Sequence, residues 1–438
     1  MSIGPFVQLR RRRSFFQLNG IKEEPYVADI PVDVSTDEKS LETLHDKYQA
    51  SKPSSTMIWG VPLQSILLLN IAAVLWGTQH SVIKSVVDGI PIGPSDSLRE
   101  WFYNILGREA TFIPSNDGDA AAYFTLARFS LAALLAAPYT PGVDEWLDRL
   151  KGRVNTGETK IISMQDDSLE MVNEPSIDNN LSWKYGIELG IYMFLGYAFQ
   201  AVGLQTTTAS RSGFLLYLNV KLVPFFAFLL FGKTIRASTW ISALVAFIGT
   251  ALLTLDNSGD GLSFGLNAGD LWSIAAAAAS AMFILRTEEA SKAVTKSSEL
   301  NAASLWTVSL LAALWTLTIT SKNVMIDMDI VTNAQVPLAT VQYTVIATLS
   351  TFINHPLQMF YLSAVTTTLA NYIQSKGQKD ISAERASIIY AMDPVYGALA
   401  ANLLLGEQLG TLGSIGCGLI FTAAATNALF DFGPAGDD

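Results

Sequence analysis

The stretch QAVGLQTTTASRSGFLLYLNVKLVPFFAFLLFG (residues 200–232) has a later counterpart, QSKGQKDISAERASIIYAMDPVYGALAANLLLG (residues 374–406). The two segments align without a gap at an offset of 174 residues, the difference between 374 and 200. Gln200 matches Gln374 and Arg211 matches Arg385, and shared hydrophobicity does not explain polar matches of this kind. The sequence therefore predicts an internal repeat.

The composition indicates that this repeat lies in a membrane. Hydrophobic residues make up 50% of the 438 residues and charged residues 15%, and the mean hydropathy is +0.32. About 20 apolar residues in a helix cross a hydrocarbon core of about 30 Å, and in lipid the backbone must pair internally. We predict an all-α integral membrane protein with ten transmembrane helices, at residues 63–86, 120–138, 184–205, 210–231, 238–256, 267–286, 302–320, 356–376, 383–405 and 409–429.

The offset relates the fourth predicted span to the ninth, five helices later. Because five is odd, the two copies cross the membrane in opposite directions. Inverted repeats of this kind recur in secondary transporters, with the substrate near the midplane between the halves. We expect two inverted five-helix repeats, at residues 63–256 and 264–429.

The remaining segments are polar. Residues 1–60 are predicted to be a flexible tail, whose Arg-rich start is read either as an organelle transit peptide or as a solvated tail. Residues 430–438 form an acidic C-terminal tail, and long loops are expected at 87–119 and 139–183. The apolar stretch 341–352 is expected to lie at the interface or to extend a neighbouring helix.

Lysine and arginine indicate the orientation, because cytoplasmic loops carry more of them. With the N-terminus inside, twelve lie in inside loops and three in outside loops. The inside residues are Arg149, Lys151, Arg153, Lys160, Lys184, Lys233, Arg236, Arg286, Lys292, Lys296, Lys376 and Lys379, and the outside ones are Arg99, Arg108 and Lys322. Both termini are therefore predicted on the cytosolic or stromal side, and plastid and plasma membrane both stay open.

Several short motifs, taken in order, resemble the EamA branch of the drug/metabolite transporter superfamily. They are AVLWGTQH (73–80) with Lys84, ARF (127–129), ELG (188–190), GYAFQAVGL (196–204), TASRSGFL (208–215) with Val223-Pro224, AERAS (383–387), DP (393–394) and LGE (405–407). The resemblance implies ten helices, pseudosymmetric halves, and export or exchange of small metabolites. The chain departs from the family in its long loops, in a weak second Trp-Gly motif around Ser280, and in Asp393, where Glu is frequent.

Ionisable groups inside a membrane are costly and mark functional sites. Lys221 and Asp393 lie about ten residues into the fourth and ninth predicted spans, so we expect both near the midplane. They are interpreted as a substrate or proton site, or alternatively as a structural ion pair.

The other candidate substrate-binding residues are polar or aromatic groups in the predicted spans. Each also has a structural reading as a packing, capping or helix-bridging residue. They are Gln79, His80, Lys84, Gln200, Arg211, Tyr217, Asn219, Asn371, Gln374, Arg385 and Tyr390. Arg128 is read as structural.

The predicted function is transport of small organic metabolites, either by secondary active or by facilitative alternating access. A sugar-phosphate or nucleotide-sugar type of antiporter and a non-transporting scaffold or sensor are the alternatives. The sequence contains no His-Glu-x-x-His motif and no Gly-x-x-x-x-Gly-Lys-Ser/Thr phosphate loop, so no enzyme activity is expected. No cofactor, metal site or nucleic-acid partner is expected, and a homodimer stays open.

Overall fold

The computed structural model describes residues 57–58, 61–87, 117–150, 175–203, 206–207, 212, 215–234, 237–257, 267–327, 336–405 and 410–431. Its helices are α1 (Leu63–Val87), α2 (Asp117–Ala136), α3 (Val143–Leu150), α4 (Pro175–Gly203), α5 (Asn219–Phe231), α6 (Ala237–Asn257), α7 (Ala268–Ala293), α8 (Ser297–Asp327), α9 (Val336–Asn354), α10 (Pro356–Phe360), α11 (Ala370–Gln378), α12 (Ala383–Tyr390), α13 (Asp393–Leu405) and α14 (Thr411–Asp431). A π-helix, Tyr361–Leu369, joins α10 to α11, and a short 3-10 helix, Ala137–Tyr139, follows α2.

The predicted all-helical membrane fold is confirmed, and each of the ten predicted spans contains helix. Among the described residues, five helices are long and apolar enough to cross a membrane by length and composition. They lie at Ala120–Tyr139, Ala237–Leu255, Ala268–Ala293, Ser297–Met325 and Val336–Asn354. The count of ten spans, the repeat boundaries and the tail boundaries stay predictions.

Three elements differ from what the sequence predicts. The apolar stretch at 341–352 is part of a longer helix, α9, which bends into α10 at His355 while the backbone hydrogen bonds His355 N to Thr351 O and Met359 N to His355 O continue. The loop predicted at 139–183 contains α3 and the beginning of α4, which hydropathy misses because these segments are short or charged. A two-residue antiparallel pair, β1 (Met57–Ile58) with β2 (Val61–Pro62), lies where the tail was predicted to end.

The helices pack through close contacts between small residues. α4 packs along α7 and α8, α1 along α11 and α13, and α6 along α14. An added Cβ at Gly203 would lie 2.9 Å from Gly269 O, and one at Gly77 would lie 2.8 Å from Gly397 N. At such crossings a larger side chain would force the helix backbones apart.

Exposed apolar side chains cover the outer faces of several helices. They include Phe228, Leu229 and Leu230 on α5, with 56–60% of each side chain exposed. A soluble monomer rarely exposes so much contiguous apolar surface. Such faces fit a chain that is surrounded by lipid.

Candidate functional site

Two helices that the sequence predicts as single spans are interrupted. In the fourth, residues 217–218 form a turn before α5 begins at Asn219. In the ninth, residues 391–392 form a turn before α13 begins at Asp393. Leu218 and Ala391 keep right-handed helical backbone angles, and hydrogen bonds such as Lys221 N to Leu218 O and Tyr396 N to Met392 O span the turns. Each interruption is therefore a local break in the regular hydrogen-bonding pattern of its helix.

The two interruptions meet through side chains. The Tyr217 hydroxyl donates a hydrogen bond to the carboxylate of Asp393. On the other side of α5, Asn219 Nδ2 donates to Ser280 Oγ of α7 at 3.2 Å. Tyr217, Asn219 and Asp393, which the sequence singles out separately, therefore lie in one region.

Lys221 does not form the ion pair with Asp393 that the sequence suggests. Its Nζ lies 3.7 Å from the centroid of the Phe247 ring on α6, and within the described residues no carboxylate pairs with it. Lys221 follows Asn219 by two positions, and residues two apart point to different sides of a helix. Because Asn219 faces α7, Lys221 is turned towards α6.

A second polar group lies where α1, α7, α11 and α12 meet. Gln374 Nε2 donates to Gln378 Oε1 at 2.9 Å, and Gln378 Nε2 donates to Ile284 O at 3.1 Å. Tyr390 is buried and packs edge-on against Trp76, with ring centroids 5.2 Å apart. Sequence reasoning missed Gln378, although its position one turn after Gln374 places both on one helix face.

Arg128 joins α1, α2 and the π-helix. Its Nη2 donates to Gln79 Oε1 at 2.8 Å, and its Nε donates to Thr367 Oγ1 at 2.7 Å. Gln79 is a predicted site residue, whereas Arg128 was read as structural. The threonines were missed because only the fold brings them to Arg128.

The other candidates are placed as follows. Asn371 donates weakly to Met193 Sδ at 3.7 Å, while Gln200 and Arg385 are half-buried on α4 and α12. His80 and Lys84 lie on α1, but their side chains, like Arg211, are outside the described residues.

At one end of the bundle, charged residues of several elements form a network that we call the charged latch: Lys233, Glu288, Lys292 and Glu384. Lys233 Nζ lies 2.9 Å from Glu288 Oε2 and 3.2 Å from Glu384 Oε1. Lys292 Nζ lies 2.6 Å from Glu288 Oε1, and Glu288 Oε2 also accepts from Ala383 N at 2.9 Å.

The charged latch raises the pKa of Lys233. Burial lowers the pKa of Lys233, but the two carboxylates exceed that effect, so the net pKa is raised above 10.5. Sequence reasoning used Lys233 and Lys292 only as orientation markers and did not find the latch.

A surface cavity of about 150 Å³ lies beside the start of α8 and is lined by Asp144, Glu145, Lys296 and Glu299 among others. None of the predicted site residues lines it. In the part of the chain that the structure describes, no three His, Cys, Asp or Glu side chains come together as a metal site.

Comparison with known proteins identifies the family. The EamA-like transporter family matches residues 169–255 and 267–429, more than half of the chain. An uncharacterized transporter of Archaeoglobus fulgidus is 37% identical over 89 residues, which is 20% of this chain and 27% of that relative. A solved crystal structure of a protein aligns over 83% of this chain and 96% of its own, with a TM-score of 0.48 and 17% identity.

The two matched regions contain both interrupted helices and all four residues of the charged latch. The chain is therefore an integral membrane protein of the EamA-like transporter family.

Proposed function

We propose that this protein is a secondary transporter that moves small organic metabolites by alternating access between two inverted halves. The observation that carries the proposal is the pair of interrupted helices. α5 (Asn219–Phe231) and α13 (Asp393–Leu405) differ by 174 at both ends, the same offset that aligns the sequences. Discontinuous helices near the midplane provide substrate and ion sites in inverted-repeat transporters.

Repeat-related residues also make equivalent contacts. Gly203 packs against Gly269 at the start of α7, and Gly377 packs against Leu69 of α1. α1 and α7 are the first helices of the two proposed halves, so each repeat-related glycine contacts the first helix of the other half. Such exchanged packing supports a pseudo-twofold relation.

The helix crossings at the two interruptions are also exchanged between the proposed halves. An added Cβ at Gly77 of α1 would lie 2.9 Å from Asp393 O, while Ser280 of α7 bonds Asn219. Asn219 and Asp393 are the repeat-related pair. The first helix of each half therefore crosses the interrupted helix of the other.

The charged latch supports alternating access because it joins the two proposed halves at one end. Lys233 belongs to the first half, while Glu288 and Glu384 belong to the second. A rocking motion that opens this end must separate these ions. Both carboxylates of the latch are buried, but the Lys233 side chain is 40% exposed. Water at the ammonium weakens its ion pairs, so the latch can be opened in a transport cycle.

The central experiment is counterflow in liposomes that contain the purified full-length chain. A library of organic acids, amines, nucleosides and phosphate esters is screened with and without a pH gradient. We expect accelerated exchange of at least one labelled compound over protein-free liposomes. Folded protein that exchanges none of them would favour the scaffold or sensor alternative instead.

The proposed orientation places both termini on the same side, with the charged latch facing the cytosol or stroma. Cys417 is the only cysteine, so Cys417→Ala gives a background for labelling. Lys322→Cys and Lys379→Cys each replace an exposed lysine on opposite predicted sides. In intact expressing cells an impermeant maleimide should label position 322, and position 379 only after permeabilisation; the reverse pattern contradicts the orientation.

A further inference from the structure

Arg128 is a buried cation, and its hydrogen bonds within the described residues go to neutral groups. Only 2% of the residue is exposed. Its Nε donates to Thr367 Oγ1 at 2.7 Å, and its Nη2 donates to Gln79 Oε1 at 2.8 Å and to Thr366 Oγ1 at 3.2 Å. These contacts fix the guanidinium between α1, α2 and the π-helix without neutralising it.

Thr366 and Thr367 are oriented to accept hydrogen bonds from Arg128. Thr366 and Thr367 both donate their hydroxyl hydrogens to Leu362 O, at 3.0 Å and 2.7 Å. Their lone pairs are then available to Arg128. Two adjacent threonines can share one carbonyl and one guanidinium here because Tyr361–Leu369 is π-helical, and π-helical segments are frequent at functional sites.

No carboxylate compensates the charge of Arg128 among the described residues. Its nearest charge-stabilising neighbours are ring faces, with its Cζ 5.5 Å from the Tyr197 centroid and 5.7 Å from that of Phe129. A buried charge without a counter-ion is costly. An anion that entered this region would recover that cost.

One nitrogen of the Arg128 guanidinium, Nη1, is available to bind such an anion. Within the described residues, nothing accepts a hydrogen bond from its Nη1. One turn further along α2, Thr368 Oγ1 donates to Ala132 O, and Asn301 Nδ2 donates to Thr368 O. Ser363 Oγ, four residues before Thr367 on the π-helix, is buried and lacks a hydrogen-bond partner in the part of the chain that the structure describes, so this helix has an unused hydroxyl donor.

We propose that Arg128 binds the carboxylate of the transported molecule, so that the substrates are organic monoanions. This inference rests on the proposed transport function. A carboxylate suits the site because one cation is balanced by one negative charge and because guanidinium and carboxylate pair edge to edge. A phosphate dianion would leave a net negative charge in a buried region.

Binding is tested on the purified full-length protein, independently of flux. The probes are acetate, butyrate and benzoate, each compared with its amide, together with inorganic phosphate. The readouts are the shift in thermal unfolding midpoint and titration calorimetry. Ligands that bind the folded state raise its stability by mass action, so at least one carboxylate should stabilise the wild type and its amide should not.

Matched variants assign the effect. Arg128→Gln should weaken carboxylate binding at least tenfold, and Arg128→Lys should weaken it less because it keeps the charge. Lys322→Gln makes the same charge change at an exposed position and should bind like the wild type. If Arg128→Gln does not fold, the comparison of each carboxylate with its amide on the wild type still decides whether the protein recognises the negative charge of the ligand.

Three outcomes would overturn the inference: equal binding of carboxylate and amide, undiminished carboxylate binding by Arg128→Gln, or stabilisation of the folded wild type by phosphate alone or by no probe. Loss of the proposed function has a different signature. In that case carboxylates bind in an Arg128-dependent way, but no compound undergoes counterflow.

Discussion

The ammonium of Lys233, on the loop after α5, lies 2.9 Å from Glu288 Oε2 on α7. The two residues belong to different proposed halves, and the same ammonium also reaches Glu384 at the start of α12. One lysine therefore links three elements that are far apart in the chain. The transport proposal requires this link to open and close.

Removing Lys233 should loosen the charged end. In Lys233→Gln, Glu288 and Glu384 lose their shared cation, and we expect a loss of about 1 kcal/mol of stability, because the lysine side chain is 40% exposed and such pairs contribute modestly. Lys292→Gln is the control, since Lys292 pairs with Glu288 within one helix. The thermal unfolding midpoint should fall more in Lys233→Gln than in Lys292→Gln; equal effects would contradict a link between halves.

The latch should respond to pH in a defined window. Because the folded-state pKa of Lys233 is raised above 10.5, its stabilisation is fully present below that value and is lost as the pH rises through the folded pKa. The difference in unfolding midpoint between wild type and Lys233→Gln should stay constant from about pH 7 to 9 and shrink above about 10.5. A difference that disappears at neutral pH would show that Lys233 is not the cation concerned.

The contact between Tyr217 and Asp393 should matter for transport. Tyr217→Phe removes the hydroxyl that donates to Asp393, and hydrogen bonds to charged groups contribute about 1.5–3 kcal/mol. If that contact is made in the rate-limiting state, the initial counterflow rate should fall by about tenfold to a hundredfold. Tyr139→Phe, at a residue 57% exposed, is the control, and a normal rate in Tyr217→Phe would remove this contact from the transport cycle.

The close approach of α4 and α7 should not tolerate an added methyl group. In Gly269→Ala the new Cβ would lie 2.4 Å from Gly203 O and 2.6 Å from Thr206 Oγ1, and overpacking of this kind costs about 1–3 kcal/mol. Gly418→Ala is the matched control, because nothing lies within 4 Å of its added Cβ. The unfolding midpoint should fall in the first variant only; an unchanged midpoint in Gly269→Ala would mean that the two helices separate easily.

Lys221 shows where reasoning from the sequence fails. The sequence places it at a depth similar to that of Asp393, and depth along an apolar helix can be counted from its ends. The side of the helix is not given in this way, because α5 is apolar nearly all round and its rotation depends on its neighbours. The structure turns Lys221 to Phe247 and leaves Tyr217 as the partner of Asp393.

The contacts of Arg128 and of the charged latch could not be predicted from the sequence either. The residues are present in the printed sequence, but Arg128 is 239 positions from Thr367 and Lys233 is 151 from Glu384. Nothing local in the sequence relates them. Gln378 is different, since its spacing from Gln374 could have revealed it.

The sequence by itself determined that this chain is helical and membrane-embedded, because apolar runs of this length must pair their backbone groups internally. It also determined the 174-residue offset of the repeat. In the structure, α5 and α13 begin and end at residues that differ by the same 174 positions. Only the tertiary structure decided which polar groups meet: Tyr217 with Asp393, Lys233 with Glu288, and Arg128 with two threonines. The physical reason is that hydrophobicity sets where a helix lies, whereas close packing of small residues and pairing of buried polar groups set how it is rotated and what it touches.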